Sequence, residues 1–249
     1  MRQSNGYIIF FTAVMTVIVG GLLSMASQIL GPAQKKSIEL DTKSQILGAV
    51  QDLNDGDDVL AIYKERIKSL VVDIDGNEVN VNAKGLPMIA EDVNILKNYK
   101  KDPNERSYPV FMYMNEADPT KIDAYILPLY GNGLWDKIWG FVAVSNDMET
   151  LVGIALDHKA ETPGLGARIK DSDVRSRYVG KKIVDESGNL MSVSMVKGEG
   201  NDNLSQHQVD GMSGATLTGK GVNQMLKSYL TSYQAYFNKV KSGTAQASL

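Results

Sequence analysis

The chain of 249 residues contains no cysteine and only two histidines, His158 and His207. The lack of cysteine excludes disulfides, zinc–thiolate sites and any iron–sulfur cluster held by this chain alone. Two histidines without cysteine are also too few for a typical transition-metal site, so the sequence predicts no metal centre. Redox chemistry in this chain would therefore need an organic cofactor.

An excess of basic residues is missing as well, since the net charge is −3 and the pI is about 5.5. Such a balance excludes the broad basic surface that is typical of nucleic-acid-binding proteins. The hydrophobic content of 43% and the charged content of 22% are those of a folded protein. The length suits one membrane anchor and one domain of ordinary size.

Charged residues are absent from Tyr7 to Leu30, a stretch that is almost wholly apolar. As a helix it would rise about 36 Å, which is enough to cross a bilayer. We therefore predict an N-terminal membrane anchor over residues 1–34, ended by Gly31-Pro32. A cleaved signal peptide is the alternative, because Ser24-Met25-Ala26 loosely resembles a cleavage site, but the apolar run is longer than a typical signal peptide requires.

The remaining sequence predicts an α+β fold in which helices flank an antiparallel sheet. Residues 35–70 are expected to form a helical stalk and entry to the domain, residues 71–241 one soluble domain, and residues 242–249 a loose C-terminal tail. Helices are predicted over residues 57–70, 91–99, 169–179 and 222–240, and strands over residues 70–74, 78–81, 108–114, 124–130, 140–144, 151–156, 182–184 and 191–196.

Small residues, two threonines and one acid are concentrated between Asp210 and Thr218, just before the last predicted helix. Backbone N–H groups at a helix N-terminus can receive a phosphate. A nucleotide-hydrolysing P-loop is rejected, because Gly221 stands where that motif needs Ser or Thr. A threonine nucleophile lacks an adjacent base in the sequence. The plainest alternative is capping of the helix by Thr216 or Thr218.

Two further loops have unusual compositions. Residues 161–166, Glu-Thr-Pro-Gly-Leu-Gly, follow a predicted strand and combine a carboxylate, a hydroxyl, a proline and two glycines. This loop is either a ligand site or an ordinary turn. Residues 131–140 place two tryptophans between glycines, which is typical either of a loop that covers the core or of an aromatic wall beside a planar ring.

The segment Asp210–Thr216 resembles the flavinylation sequence of proteins with an FMN-binding domain. Residues 161–166, Val196-Lys-Gly198 and the stretch from Gly131 to Gly140 resemble three further motifs of that family, in the same order. The resemblance implies that a dedicated flavin transferase joins FMN to Thr216 through a phosphoester bond.

The anchor, the length and the motif order resemble the C-subunit family of sodium-translocating NADH:quinone oxidoreductases. The G subunits of Rnf-type ferredoxin:NAD oxidoreductases are similar, but Gly131-Asn-Gly-Leu-Trp135 and the longer helical region before Val71 favour the C-subunit family. That likeness implies a six-subunit complex in which this chain relays electrons from an iron–sulfur centre of the D and E subunits to the FMN of the B subunit. It would carry no catalytic residue and would be inactive alone.

The same resemblance implies a place in the bacterial inner membrane, with a single span and a periplasmic soluble domain, because the flavin transferase acts outside that membrane. The flanking charges alone, Arg2 on one side and Lys35, Lys36 and Lys43 on the other, would weakly favour the cytoplasm. The apolar run from Tyr7 to Leu30 holds no charged residue that could carry an ion, so a sodium path would lie in partner subunits.

The residues expected at the site divide by their role. The phosphate and ribityl end is assigned to Ser213, Gly214, Ala215, Leu217 and Thr218, and the ring to Glu161, Thr162, Pro163, Gly164, Leu165, Gly166, Leu134 and Trp135. Lys197 and Gly198 are further candidates for cofactor binding, and Asp210 is expected to serve the transferase reaction. Two other functions stay open: a tethered ligand-binding module without electron transfer, and a structural assembly subunit.

Overall fold

The computed structural model describes residues 4–82 and 84–244, so that residues 245–249 of the expected C-terminal tail lie outside the described part. The chain divides into two compact units, Met1–Thr42 and Lys43–Leu249. The second unit combines an antiparallel sheet with helices, which confirms the expected α+β class.

Helix α1 runs from Asn5 to Leu47. Its side chains between Tyr7 and Leu30 are exposed and uncharged, and α1 alone among the described helices is long and apolar enough to cross a membrane. The expected end at Gly31-Pro32 is wrong, because the helix continues through Pro32. A proline removes one N–H from the helical ladder and crowds one carbonyl. The hydrogen bonds of the adjoining turns remain, so the helix can continue.

The helix expected over residues 57–70 is shorter than the sequence predicts. Asp58 caps α2 (Val59–Arg66) by accepting the Ala61 N–H at 3.1 Å. The chain then turns at Ile67 into strand β1 (Ile67–Val72), which pairs with β2. The apolar spacing after Arg66 fits a helix or a strand, and pairing with the neighbouring strand decides between them.

The main sheet is an antiparallel meander whose five strands lie in chain order. After β1, its strands are β2 (Tyr108–Met114), β3 (Ile122–Asn132), β4 (Lys137–Ser145) and β5 (Leu151–His158). These four strands confirm the predicted strands over residues 108–156. Each of these runs is apolar and bounded by turn residues, and strands with such a local pattern can be predicted from the sequence.

Both faces of the sheet are covered, which explains why β3 is apolar along its length instead of alternating. Leu127 faces a core built with α5 (Thr216–Lys241), whereas Ile126 faces a second core with Leu47 at the end of α1 and Tyr63 of α2. Neither Leu127 nor Ile126 is exposed to solvent. The sheet is thus the middle layer of the second unit.

The connections outside the sheet are less regular than predicted. The helix expected over residues 91–99 is a 3₁₀ turn (Ala90–Asp92) followed by α3 (Ile95–Tyr99), and the one expected over 169–179 is a 3₁₀ turn (Gly166–Lys170) followed by α4 (Ser172–Ser176). A further 3₁₀ turn covers Pro103–Glu105. Each of these segments is too short for the cooperative gain that sustains a long helix.

Two predicted hairpins are only partly formed. Residues 78–81 contribute isolated bridges instead of a strand, although the turn before them is present. The hairpin over residues 182–196 keeps one bridge, Val184 to Leu190. Its second half, β6 (Ser194–Met195), pairs in parallel with β7 (Gln208–Val209). Ser192 has a φ of 66°, and this left-handed turn redirects the chain away from the hairpin.

Helix α5 (Thr216–Lys241) begins six residues before the predicted start at Val222. Its apolar face packs on the sheet, and the hydroxyl of Tyr233 donates to the carbonyl of Pro109 at 2.6 Å. Gly219 and Gly221 lower the helix propensity of the first turns by about 1 kcal/mol each, which hides the true start from a sequence pattern. Tertiary contacts outweigh that propensity, so Thr216, Leu217 and Thr218 form the first turn of the helix, while Ser213, Gly214 and Ala215 lie just before it.

Candidate cofactor-binding site

The site begins at the N-terminus of α5. Gly214 takes a left-handed conformation with φ 71°, and Ala215 is the N-cap residue without any side-chain hydrogen bond to the helix. The first helical bond joins the Gly219 N–H to the carbonyl of Ala215 at 3.0 Å. The N–H groups of the first turn therefore stay available at the positive end of the helix dipole. The expectation that Thr216 or Thr218 caps the helix is wrong, because both lie inside it.

The two threonines have different environments although one residue separates them. Thr218 is 1% exposed, and its hydroxyl donates to Glu161 Oε2 at 2.6 Å. Thr216 is the first residue of α5 and is half-buried, and within residues 4–82 and 84–244 its hydroxyl makes no hydrogen bond. Of the two threonines, Thr216 is thus the one whose hydroxyl is unbonded within the described residues and next to the free N–H groups.

The buried side chain of Glu161 connects its own loop to two other segments of the chain. It is 4% exposed, and while Oε2 accepts the Thr218 hydroxyl, Oε1 accepts the backbone N–H of Trp135 at 3.0 Å. Its own N–H donates to His158 Nδ1 at 3.2 Å. Hydrogen bonds to a charged acceptor are stronger than neutral ones, and a buried carboxylate requires them. Glu161 therefore ties the 161–166 loop to α5 and to the β3–β4 turn.

Glycines make room for that carboxylate. A Cβ at Gly166 would lie 2.5 Å from both Glu161 Oε2 and the Thr218 hydroxyl, and a Cβ at Gly133 would overlap Glu161 Oε1. Real Cβ atoms do not approach oxygen so closely, so any other residue at either position would displace Glu161. Gly133 and Gly166, which belong to different motifs, thus both leave space for the buried Glu161 carboxylate.

Further glycines bring the remaining motif segments into contact. A Cβ at Gly211 would collide with the carbonyl oxygens of Val196 and Gly198, and one at Gly214 would lie 2.8 Å from Leu165 Cδ2. The four motif segments, residues 131–140, 161–166, 196–198 and 210–218, therefore meet at one end of the sheet. We call this region the motif end.

Asp210 is fixed within the motif end by hydrogen bonds. Its carboxylate accepts the N–H groups of Gly200 at 2.8 Å and Asn201 at 3.1 Å, and the Asn201 side chain at 2.8 Å. Burial alone would raise the pKa of Asp210, but these hydrogen bonds together hold it below its ordinary value. Asp210 therefore braces the loop that leads to Thr216, a role that the sequence does not suggest.

A charged network that the sequence analysis missed lies beside Asp210. Glu199 accepts from Arg168 at 2.8 Å, from Arg177 at 2.9 Å and from the Ser213 N–H at 3.3 Å, and Asp173 pairs with both arginines. The two guanidinium groups and the Ser213 N–H lower the pKa of Glu199 to about 2. These residues are distant in sequence and match no motif, and the only signal for Glu199 is its place directly after Gly198.

Several exposed apolar side chains belong to the segments that meet at the start of α5. Trp135 is 69% exposed, and Leu134, Leu165 and Leu217 are each exposed by 40% or more. Trp135 is positioned through its N–H on Glu161, Leu165 lies against Gly214, and Leu217 follows Thr216. Thr162, Pro163, Gly164 and Lys197 are also exposed, whereas Gly166 is buried. The surface beside Thr216 can therefore hold a flat apolar ring, and the free helix N-terminus can hold its phosphate.

Comparisons with known proteins agree with this chemistry. A sequence profile of FMN-binding domains matches residues 133–231, which include Glu161 and Thr216. The C subunit of the Na(+)-translocating NADH-quinone reductase from Neisseria meningitidis serogroup A is 33% identical over 243 residues, which cover 94% of this chain and 92% of the relative.

Solved structures show the same similarity. The crystal structure of the C subunit of the Na(+)-translocating NADH-quinone reductase from Parabacteroides distasonis superimposes with a TM-score of 0.71 at 33% identity, over 84% of this chain and 96% of the other. NqrC from Shewanella oneidensis gives a TM-score of 0.68 at 28% identity, over 83% and 99% of the two chains.

Proposed function

The chain belongs to the C-subunit family of Na(+)-translocating NADH-quinone reductases, and on this premise we propose that it is a membrane-anchored electron-transfer subunit with FMN joined covalently to Thr216. Because the chain belongs to this family, the assignment as a C subunit takes the place of the alternative assignment as an Rnf-type G subunit. The proposal goes further than the family name in two respects: the covalent bond to one threonine, and the chain's place in an electron path.

The observation that carries the proposal is the contrast between Thr216 and Thr218. Thr218 is buried and bound to Glu161, so a transferase could reach its hydroxyl only by breaking the motif end apart. Thr216 stands at the first position of α5, where unsatisfied N–H groups and the helix dipole favour a negative phosphate. This contrast supports Thr216 as the attachment residue.

Attachment forms a bond between Thr216 Oγ1 and the phosphorus of the flavin phosphate, and the hydroxyl loses its proton. The donor must be an activated flavin phosphate, such as a phosphoanhydride, whose leaving group departs in the same step. The left-handed Gly214 and the small Ala215 keep the backbone before Thr216 free of side-chain bulk. Asp210 contributes by fixing the 198–213 loop through the N–H groups of Gly200 and Asn201.

When bound, FMN supplies a carrier that exchanges electrons with both one- and two-electron partners. The chain's own residues bind and orient it: Leu134, Trp135, Leu165 and Leu217 offer apolar contact to the ring, and the first turn of α5 holds the phosphate. Glu161 acts beneath them by fixing the backbone of Trp135. The covalent bond keeps the cofactor in place even though this surface is open to solvent.

The proposed electron path runs from an iron–sulfur centre of the D and E subunits, through this chain, to the FMN of the B subunit. The chain has no cysteine with which to hold a cluster, so a neighbouring iron–sulfur centre needs ligands from other subunits. The proposed location is the inner membrane, spanned once by α1, with the second unit on the periplasmic side where the flavin transferase acts.

A denaturing gel viewed under ultraviolet light tests the covalent bond. In a host that has the transferase, the wild-type chain should give a fluorescent band, Thr216→Ala should give none, and Thr218→Ser should keep it. Serine preserves the hydroxyl that donates to Glu161, so this control leaves the motif end intact. A fluorescent band from Thr216→Ala would contradict the attachment site.

The same variants test the relay role. Complexes assembled with the Thr216→Ala chain should lose quinone-reductase activity while retaining the other subunits. Full activity in such complexes would remove the electron-transfer role and leave a tethered flavin-binding module.

A further inference from the structure

A groove is formed by the segment that connects β1 to β2, in a part of the chain that the FMN-binding profile does not cover. It has a volume of about 340 Å³ and is formed between Asn82 and residues 87–89 on one side and α3 with its flanking residues on the other. We call it the β1–β2 groove, and its lining residues are Asn82, Pro87, Met88, Ile89, Asp92, Val93, Asn94, Lys97, Asn98, Lys101 and Ser107.

The structure holds the β1–β2 groove in a defined shape. The Asn98 side chain is buried and makes two hydrogen bonds to the Ser107 backbone, donating to its carbonyl at 2.6 Å and accepting its N–H at 3.0 Å. Asn94 caps α3 by accepting the Lys97 N–H at 2.9 Å. A groove with a fixed floor can bind a partner at a low cost in ordering.

Apolar side chains stand exposed at this groove. Ile89 lines it and is 49% exposed, while Leu86 and Leu96, the neighbours of lining residues Pro87 and Lys97, are 57% and 46% exposed. Exposed apolar groups around a concavity mark an interaction site more often than single scattered ones do. The shape and apolar character therefore fit an apolar side chain of a partner.

Lysines outnumber acids in the groove lining by two to one. Neither Lys97 nor Lys101 makes an ion pair with any residue in the described part of the chain. Asp92 is the one acid in the lining. Elsewhere Lys159 pairs with Asp136 at 2.9 Å and Lys241 with Glu149 at 3.0 Å. Unpaired lysines around an apolar groove complement a carboxylate-bearing partner.

We propose that the β1–β2 groove docks a segment of another subunit of the same complex, one that presents an apolar side chain next to carboxylates. The proposal rests on the complex membership given above, and it concerns assembly, not cofactor attachment. The apolar group would enter beside Ile89 and Met88, and the carboxylates would pair with Lys97 and Lys101.

The absence of cysteine makes a direct test possible, because a single introduced cysteine is the only thiol in this chain. We would assemble the full complex with Ile89→Cys, attach a thiol-directed photo-crosslinker, irradiate it, and identify adducts of this chain on a denaturing gel. Ser187→Cys, on an exposed turn, is the matched control, and the cysteine-free chain gives the background.

The expected result is one adduct between the Ile89→Cys chain and another subunit, mapped to a segment with acidic residues, and no such adduct from Ser187→Cys. Adding Lys97→Glu and Lys101→Glu should lower its yield about tenfold, as the loss of a favourable charge contact of ordinary strength would. Flavin fluorescence should be equal in all these chains, which separates this test from the test of Thr216.

Two results would overturn the proposal. One is an intact complex in which Ile89→Cys gives no adduct above background, or an adduct only with a second copy of this chain. The other is an adduct whose yield is unchanged by the two charge reversals, since the partner would then not be recognised through carboxylates.

Discussion

The motif end and the β1–β2 groove differ in whether their charged side chains are paired within the chain. At the motif end, Glu161, Asp210 and Glu199 each accept several hydrogen bonds, and Gly133 and Gly166 leave space for the Glu161 carboxylate. At the groove, Lys97 and Lys101 make no ion pair within the described residues. The carboxylates of the first region are therefore paired within the chain, whereas the lysines of the second region are not paired with any described residue. Substitutions should therefore affect the folding of one region and the assembly of the other.

The largest effect is expected at Glu161. Glu161→Ala would leave the buried Thr218 hydroxyl and the Trp135 N–H without their acceptor, and it should lower the free energy of unfolding by about 2–4 kcal/mol. Chemical denaturation of the flavinylated second unit would measure it. Glu186→Ala, at an exposed turn, is the control and should change stability by at most about 0.5 kcal/mol. Equal stability of the two variants would contradict the buried role of Glu161.

The next effect separates steric crowding from backbone strain. Gly211→Ala would push a methyl group against two backbone carbonyl oxygens and should destabilise by about 1–3 kcal/mol. At Gly85, near the groove, space is open and φ is +74°, so Gly85→Ala should cost only the strain of a left-handed alanine, about 1 kcal/mol. Thermal melts of both variants would show whether Gly211 is the more sensitive position, and the reverse order would refute close packing of the motif segments.

A smaller effect concerns pH. The pKa of Glu199 is lowered to about 2 in the folded chain from an ordinary value of 4.5, so its stabilising contribution is complete above pH 4.5 and is lost as the pH falls towards 2. Glu199→Gln should flatten this part of the stability–pH curve. Denaturation midpoints measured from pH 6 to pH 2 would check this, and parallel curves for both chains would contradict the network with Arg168 and Arg177.

The smallest effect on folding is expected at the groove. Lys97→Gln together with Lys101→Gln should change the free energy of unfolding by at most about 0.5 kcal/mol, because neither exposed lysine makes an ion pair with residues 4–82 or 84–244. Denaturation of the same second unit used for Glu161→Ala gives the comparison. A large loss of stability would show that the lysines serve the fold itself.

The sequence predicted the elements whose signals are local. Strands β2 to β5 are apolar runs between turn residues, and the main part of α5 has a continuous apolar face. It placed only the second half of β1, within the strand predicted over residues 70–74, because pairing with β2 decides the state of the first half. The first turn of α5 was also hidden, since Gly219 and Gly221 weaken the helical pattern.

For the same reason, only some of the contacts at the site could be predicted from the sequence. Family motifs pointed to Thr216 and to residues 161–166, but they gave Glu161 the role of a ring contact. The structure instead places its carboxylate under the loop, bound to Thr218 across 57 positions of sequence. Glu199 and its two arginines were invisible, because ion pairs between distant segments leave no mark in a single sequence.

The most direct test of the central claim is localisation of the flavin on the chain. Trypsin should release residues 198–220 as one peptide that contains Ser213, Thr216 and Thr218. Fragmentation of the flavinylated peptide by mass spectrometry should place the flavin phosphate on Thr216. Its localisation on Thr218 or Ser213, or recovery of only the unmodified peptide from a host with the transferase, would contradict the account.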